Sequence, residues 1–354
     1  MKGESPSVIR NFSPAWFATV MGTGVIPLSM AFLKAPWAKG LGVVFVWLSV
    51  ILFIVILIPW TLKFIRYPEA AREDLNHPIA GNFYPTMPIA MIVLALDFLK
   101  YRGVVLPLPL AVGLAKALWI LGSAGIYLFG FVISLRMYTH SEIDLPHANF
   151  GWYIPPVSKL IIPVAGFELA ALSQNWQPYF LVSLVSLGVG FFLFLFVGAA
   201  VYHRYIYHEM PMARLAPTFF IGIAPTAIIA IVVAKMMHFF HHVQTGFNPS
   251  TCAVLCKISL LVFWGLSIWW FVMSLLVILY YIRSVGMSYA LSWWAFTFPS
   301  GALAVSTGVT FRVFSFPFLY WSFWLLNAFL IGVWTVVAVL TLRAVSTGAA
   351  FRGH

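Results

Sequence analysis

Ten apolar runs, separated by short polar or turn-rich breaks, make up almost the whole chain. Their limits fall near 14–33, 41–62, 79–98, 108–135, 152–173, 178–201, 216–237, 254–282, 289–310 and 316–341. Each matches the length of about 20 residues that an α-helix needs to cross the hydrocarbon core of a bilayer. No interval between them could hold a soluble domain, so residues 1–354 read as one all-α integral membrane domain with short tails at both ends. Prolines near the middle of a run sort by parity: Pro27, Pro88, Pro163, Pro225 and Pro299 lie in runs one, three, five, seven and nine. The even runs carry proline only toward their ends (Pro59, Pro109, Pro178, Pro317) or lack it. A proline inside a helix removes a backbone hydrogen bond and bends the helix. In lipid the freed carbonyl needs a partner, so these bends belong against protein or a polar cavity. A marker in every second run makes each pair of runs one repeat and gives five hairpins a common orientation, whereas an inverted repeat would switch its parity halfway. The predicted architecture is an inner ring of five proline-kinked odd helices, an outer ring of five straighter even helices and a central pore along the membrane normal.

Composition supports that class and removes others. Hydrophobic residues form 62% of the chain and charged residues only 8%, against about a quarter charged in soluble proteins. That balance excludes a soluble fold, a disordered chain, a secreted disulfide scaffold and a nucleic-acid-binding domain. Lys and Arg outnumber Asp and Glu by 20 to 9, a formal net charge of +11. Anionic lipid, an anionic solute and membrane topology are three separate sources of such a bias. Eleven basic residues (Lys2, Arg10, Lys63, Arg66, Arg72, Arg136, Arg204, Arg214, Arg283, Arg343, Arg352) fall on the side that holds both termini. Five (Lys34, Lys39, Lys100, Arg102, Arg312) fall on the other. The positive-inside rule therefore puts both termini in the cytoplasm of a multi-pass cell-membrane protein. Seven of the nine acids share the cytoplasmic side, so the cationic excess is sharpest at the external mouth.

Ionisable residues inside a membrane are costly, and they are usually paired or functional. Lys159 and Glu168 share run five but stand nine residues apart, too far along a helix to pair with each other. For Lys159, attraction of an anion and a structural salt bridge both stand. For Glu168 the readings are a bridge to a lysine of another helix and a protonatable carboxylate that couples anion movement to protons. Lys235 lies late in run seven, where it can snorkel outward. Lys116 and Lys257 read as interface anchors, and Asp97 with Lys100 as an i, i+3 surface pair. His238, His241 and His242 have a helical spacing that a metal could use, but unliganded interface histidines are the simpler reading. Cys252 and Cys256 read as free thiols, and no metal or cofactor is expected. A membrane-embedded enzyme is the rival class, but the chain holds neither HExxH nor GxSxG.

Four segments carry a family resemblance: Asn11-Phe-Ser-Pro-Ala-Trp-Phe-Ala-Thr-Val-Met-Gly-Thr-Gly24; His77-Pro78 with Asn82-Phe-Tyr-Pro-Thr86; Trp152-Tyr-Ile-Pro-Pro156; and Ser292-Trp-Trp-Ala-Phe-Thr-Phe-Pro299. In this order they resemble the tellurite-resistance/dicarboxylate transporter family. That family includes bacterial tellurite-resistance channels, slow-type anion channels of plant guard cells, fungal malate permeases and sulfite exporters. The resemblance implies five hairpins around a pore and a homotrimer in which each protomer has its own pore. It also implies that Phe298, just before Pro299, is a gate. A ring in a narrow pore blocks it sterically and turns a repulsive face to anions. The implied solute is a small anion, either a malate-like C4-dicarboxylate or sulfite, nitrate or chloride without proton coupling. Channel and carrier both remain open, and pore-facing positions for both Lys159 and Glu168 would favour a carrier.

Overall fold

The computed structural model describes residues 8–33, 35–139 and 143–351. Five residues of the charge count, Lys2, Glu4, Lys34, Glu142 and Arg352, lie outside them. The chain is helical, and an isolated bridge between Arg102 and Leu106 is the sole β-pairing among the described residues. The helices are α1 (Phe17–Met30), α2 (Pro36–Arg66), α3 (Pro68–Asn76), α4 (Thr86–Lys100), α5 (Leu108–Thr139) and α6 (Ile154–Ala171). They continue as α7 (Gln177–Tyr207), α8 (Ile223–His242), α9 (Pro249–Ser284), α10 (Thr297–Phe314) and α11 (Pro317–Ser346). Helix α3 falls in a break that the apolar pattern left between runs two and three. It is tied to the end of α2 by Lys63, which pairs with Asp74 and donates to the Phe12 carbonyl at 3.1 Å.

One local plan repeats five times: a 3₁₀ turn, a short α-helix, then a long α-helix. The turns Pro14–Trp16, Ala80–Phe83, Phe150–Tyr153, Ala213–Gly222 and Leu291–Phe296 precede α1, α4, α6, α8 and α10. This corrects the expectation of five mid-helix kinks. Only Pro27 and Pro163 lie inside their helices, whereas Pro88, Pro225 and Pro299 are each the third residue of α4, α8 and α10. In a first turn the missing N–H has no intrahelical partner to lose, so proline is tolerated without a bend. These three mark where 3₁₀ geometry gives way to α.

The long helices α2, α5, α7, α9 and α11 run 30 to 36 residues. Each has proline in its first turn and ends on basic residues, Lys63 and Arg66, Arg136, Arg204, Arg283 and Arg343. Cations there suit the negative end of the helix dipole. Among the described residues, eight helical segments are long and apolar enough to cross a membrane. The segments of α1 and α10 are not among them, since α1 has 14 residues and α10 carries Ser300, Ser306, Thr307 and Thr310.

Each short helix packs most extensively on the long helix that follows it, and the short helices touch in a closed cycle: α1, α4, α6, α8, α10 and back to α1. Contacts at both ends show that they run in parallel. At their starts, Thr86 donates to the Pro14 carbonyl at 2.8 Å, and the Phe220 ring meets Phe296 at 4.8 Å. Toward their other ends, Glu168 pairs with Lys235, and Arg312 lies 4.2 Å over the Phe32 ring. Small residues permit this packing; a side chain at Gly301 of α10 would run into Val25 of α1. Tryptophans of the long helices fasten the short ones. Trp119 donates to the Ile162 carbonyl at 3.0 Å, Trp264 to Thr307 at 2.9 Å and Trp334 to Thr23 at 3.1 Å.

Candidate functional site

A cavity of about 80 Å³ lies on the axis of the ring. Its wall takes residues from all five short helices at a recurring i, i+3, i+7 spacing: Val25, Leu28 and Phe32; Val93, Leu96 and Lys100; Ile161, Val164 and Glu168; Ile228, Ile231 and Lys235. Helix α10 adds Phe298, Ala302, Val305 and Val309. That spacing keeps to one face of a helix, so every short helix presents one stripe to the same space. The first two positions of each triplet are apolar throughout. The third position, two turns further on, carries the ionisable groups.

Phe298 is 7% exposed and belongs to this wall. Its neighbour Phe296 packs against Phe220 and Trp293 at 4.8 and 5.6 Å, whereas Phe298 has no ring partner among the described residues. None of the five sequence-marked prolines lines this cavity. The bulky apolar side chains beside them form the wall instead.

At the other end of the triplets, Glu168 Oε1 accepts from Arg102 at 3.0 Å, and Oε2 accepts from Lys235. The bridge to a lysine of another helix is therefore present, joined by an arginine. Lys100 lies 5.4 Å over the Phe32 ring, near enough to Glu168 to interact electrostatically. Arg312 covers the same ring and donates to the Ala31 carbonyl at 3.3 Å. Lys100, Arg102 and Arg312 were legible in the sequence only as loop charges. Their convergence depends on the parallel register of helices distant in sequence.

Two further ionisable residues lie away from this cluster, and the assignment of one of them, Asp97, is corrected. Lys159 is 4% exposed and lies outside the cavity, against Gly130 of α5, with its ammonium donating to the Pro155 carbonyl at 2.9 Å. Asp97 is not a surface partner of Lys100. It is fully buried against Gly24, and neither carboxylate oxygen has a hydrogen-bond partner. The His238 and His242 rings meet at 4.2 Å, tilted by 44°, at the end of α8.

An apolar neck with a cationic end is thus enclosed by the five parallel helices. The model of the voltage-dependent anion channel family matches residues 11–342. The chain belongs to that family. Its members are anion channels and transporters rather than enzymes, and the chain is accordingly a multi-pass membrane protein of that class. An uncharacterized transporter of Methanocaldococcus jannaschii is 33% identical, over 98% of this chain and 97% of its own length. A sulfite efflux pump of Trichophyton rubrum is 22% identical, over 97% and 93%. The malic acid transport protein of Schizosaccharomyces pombe is 19% identical, over 82% and 69%. The four motifs identified in the sequence all fall within the matched span.

Proposed function

We propose that this protein moves small oxyanions, of the size of malate or sulfite, through the central cavity. In this reading Phe298 is the gate, and Glu168 and Lys235 govern access at the charged end. One observation carries it: five parallel helices each turn an apolar stripe inward, and that stripe ends in a cluster of cations. The apolar neck penalises any ion that must shed water, while the cations at its end repel cations and raise the local anion concentration. Phe298 is suited to a gate because its ring stands in the wall and stacks on no other ring among the described residues. The names of the fungal relatives, a sulfite pump and a malic acid transporter, support the same solute class. The protein is proposed to sit in the cell membrane with both termini in the cytoplasm, as a homotrimer with one pathway per protomer.

The proposal is tested by reconstitution into liposomes, comparing electrogenic chloride or nitrate flux with labelled malate uptake across a pH step. Flux of either kind that rises in Phe298→Ala supports the gate, and unchanged flux from a folded variant removes it. A second reading, an inorganic-anion channel without proton coupling, draws support from Lys159. A carrier was favoured if Lys159 and Glu168 both faced the axis, and only Glu168 lines the cavity. Nitrate current with no malate uptake at any pH would select that reading.

A further inference from the structure

The charged end of the cavity holds more positive charge than its own carboxylate balances. Arg102 and Lys235 pair with Glu168, Lys100 stands in the same cavity wall, and Arg312 lies behind them on the Phe32 ring. A purely structural bridge needs no such surplus. The carboxylate is engaged at both oxygens by cations from two different elements, α8 and the turn after α4. It also projects into the wall that a solute must pass.

We infer that Lys100, Arg102 and Lys235 form an anion-binding subsite at the cavity mouth and that Glu168 is its tethered ligand, which a passing oxyanion displaces. This inference rests on the anion pathway proposed above. Geometry names the ligand class. Two cations approach two different oxygens, so a carboxylate or sulfite-like group with two oxygens on one atom reproduces both contacts at their own spacing, while a chloride ion has to share one point between them. Exposure makes the exchange feasible. The side chains of Glu168, Lys235 and Arg102 are 16%, 29% and 33% exposed. Ion pairs open to water are weak, whereas fully buried ones resist breaking because a lone charge would be left without solvent. Replacing one carboxylate by another leaves the number of charge-assisted bonds unchanged, so the competition is set by concentration. The tethered group has the advantage of proximity and therefore raises the solute concentration needed to fill the site.

The test titrates sodium malate and sodium chloride, at constant ionic strength, against purified protein by thermal shift and against proteoliposomes by flux. Glu168→Gln removes the competitor and keeps the side-chain volume. It is expected to lower the half-saturating malate concentration about tenfold, the chloride value shifting less than twofold, and Lys235→Met added to it is expected to cancel the gain. Glu168→Asp, which draws the carboxylate back by one methylene, gives the same direction with a smaller shift and serves if the glutamine variant does not fold. An unchanged or raised malate value in a folded variant overturns the inference, as do equal gains for malate and chloride or no malate response in any of the proteins. The thermal shift needs no transport, so a failure of Phe298→Ala to raise flux would remove the gate and leave the subsite standing.

Discussion

The short and long helices are both apolar but occupy opposite environments. Of the segments carrying α4 and α6, 89% of the apolar window is buried within the protein, against 11% in α9 and 22% in α7. In water that contrast would put the longer, more apolar helices at the centre. Here they lie outside, because lipid tails solvate Leu, Ile and Phe as well as a protein core does. The centre goes instead to helices with glycine, serine and threonine, whose small side chains allow five backbones to close a ring. Apolar content is thus a weaker guide to burial than side-chain size.

Paired substitutions sharpen the contrast, beginning with the largest effect. Gly301→Leu places a side chain where Val25 already stands, and overpacking of that kind costs about 3 kcal/mol. It is expected to abolish monodisperse protein in detergent. Gly265→Leu in α9 meets open space and is expected to leave the melting temperature unchanged. Equal behaviour of the two would refute the inner-outer distinction. Next in size, Phe298→Ala is expected to raise anion flux about tenfold, equivalent to about 1.4 kcal/mol off the barrier, while the same change at the lipid-exposed Phe196 has no effect. Flux in proteoliposomes reads both. Lys235→Met at the cavity end is expected to reduce anion flux about threefold at low salt, an effect that added salt screens, whereas Lys257→Met on exposed α9 leaves flux unchanged. The smallest effect belongs to Asp97→Asn. Its carboxylate oxygens have no donor, and an isosteric amide removes an unpaired buried acid at little steric cost. The melting temperature is expected to hold or to rise by a few degrees, and a fall would show that the acid has a partner.

Much of the site lay hidden for a geometric reason. The apolar runs and proline parity separated the two classes of helix, and the motif around Pro299 pointed to Phe298. Pro88, Pro225 and Pro299 were legible as markers but not as 3₁₀-to-α junctions, since proline is compatible with either a kink or a first turn. Lys159 and Glu168 looked equivalent in run five. They are nine residues apart, which turns them to different sides of one helix, and only the phase of that helix against the ring decides which side meets the cavity. Asp97 was misread for the same reason: i, i+3 spacing allows a pair with Lys100, but Lys100 lies over Phe32 while Asp97 meets Gly24.

The sequence by itself determined the solvent, the number and length of the apolar runs, their alternation and the family, because these depend on composition and periodicity along one chain. The tertiary structure alone decided which charges meet. Lys100, Arg102, Glu168, Lys235 and Arg312 come from four separate repeats, and parallel packing brings the ends of their helices together. Coulombic attraction falls off over a few ångströms in water. Residues scattered across more than two hundred positions therefore acquire a common function only when the ring closes.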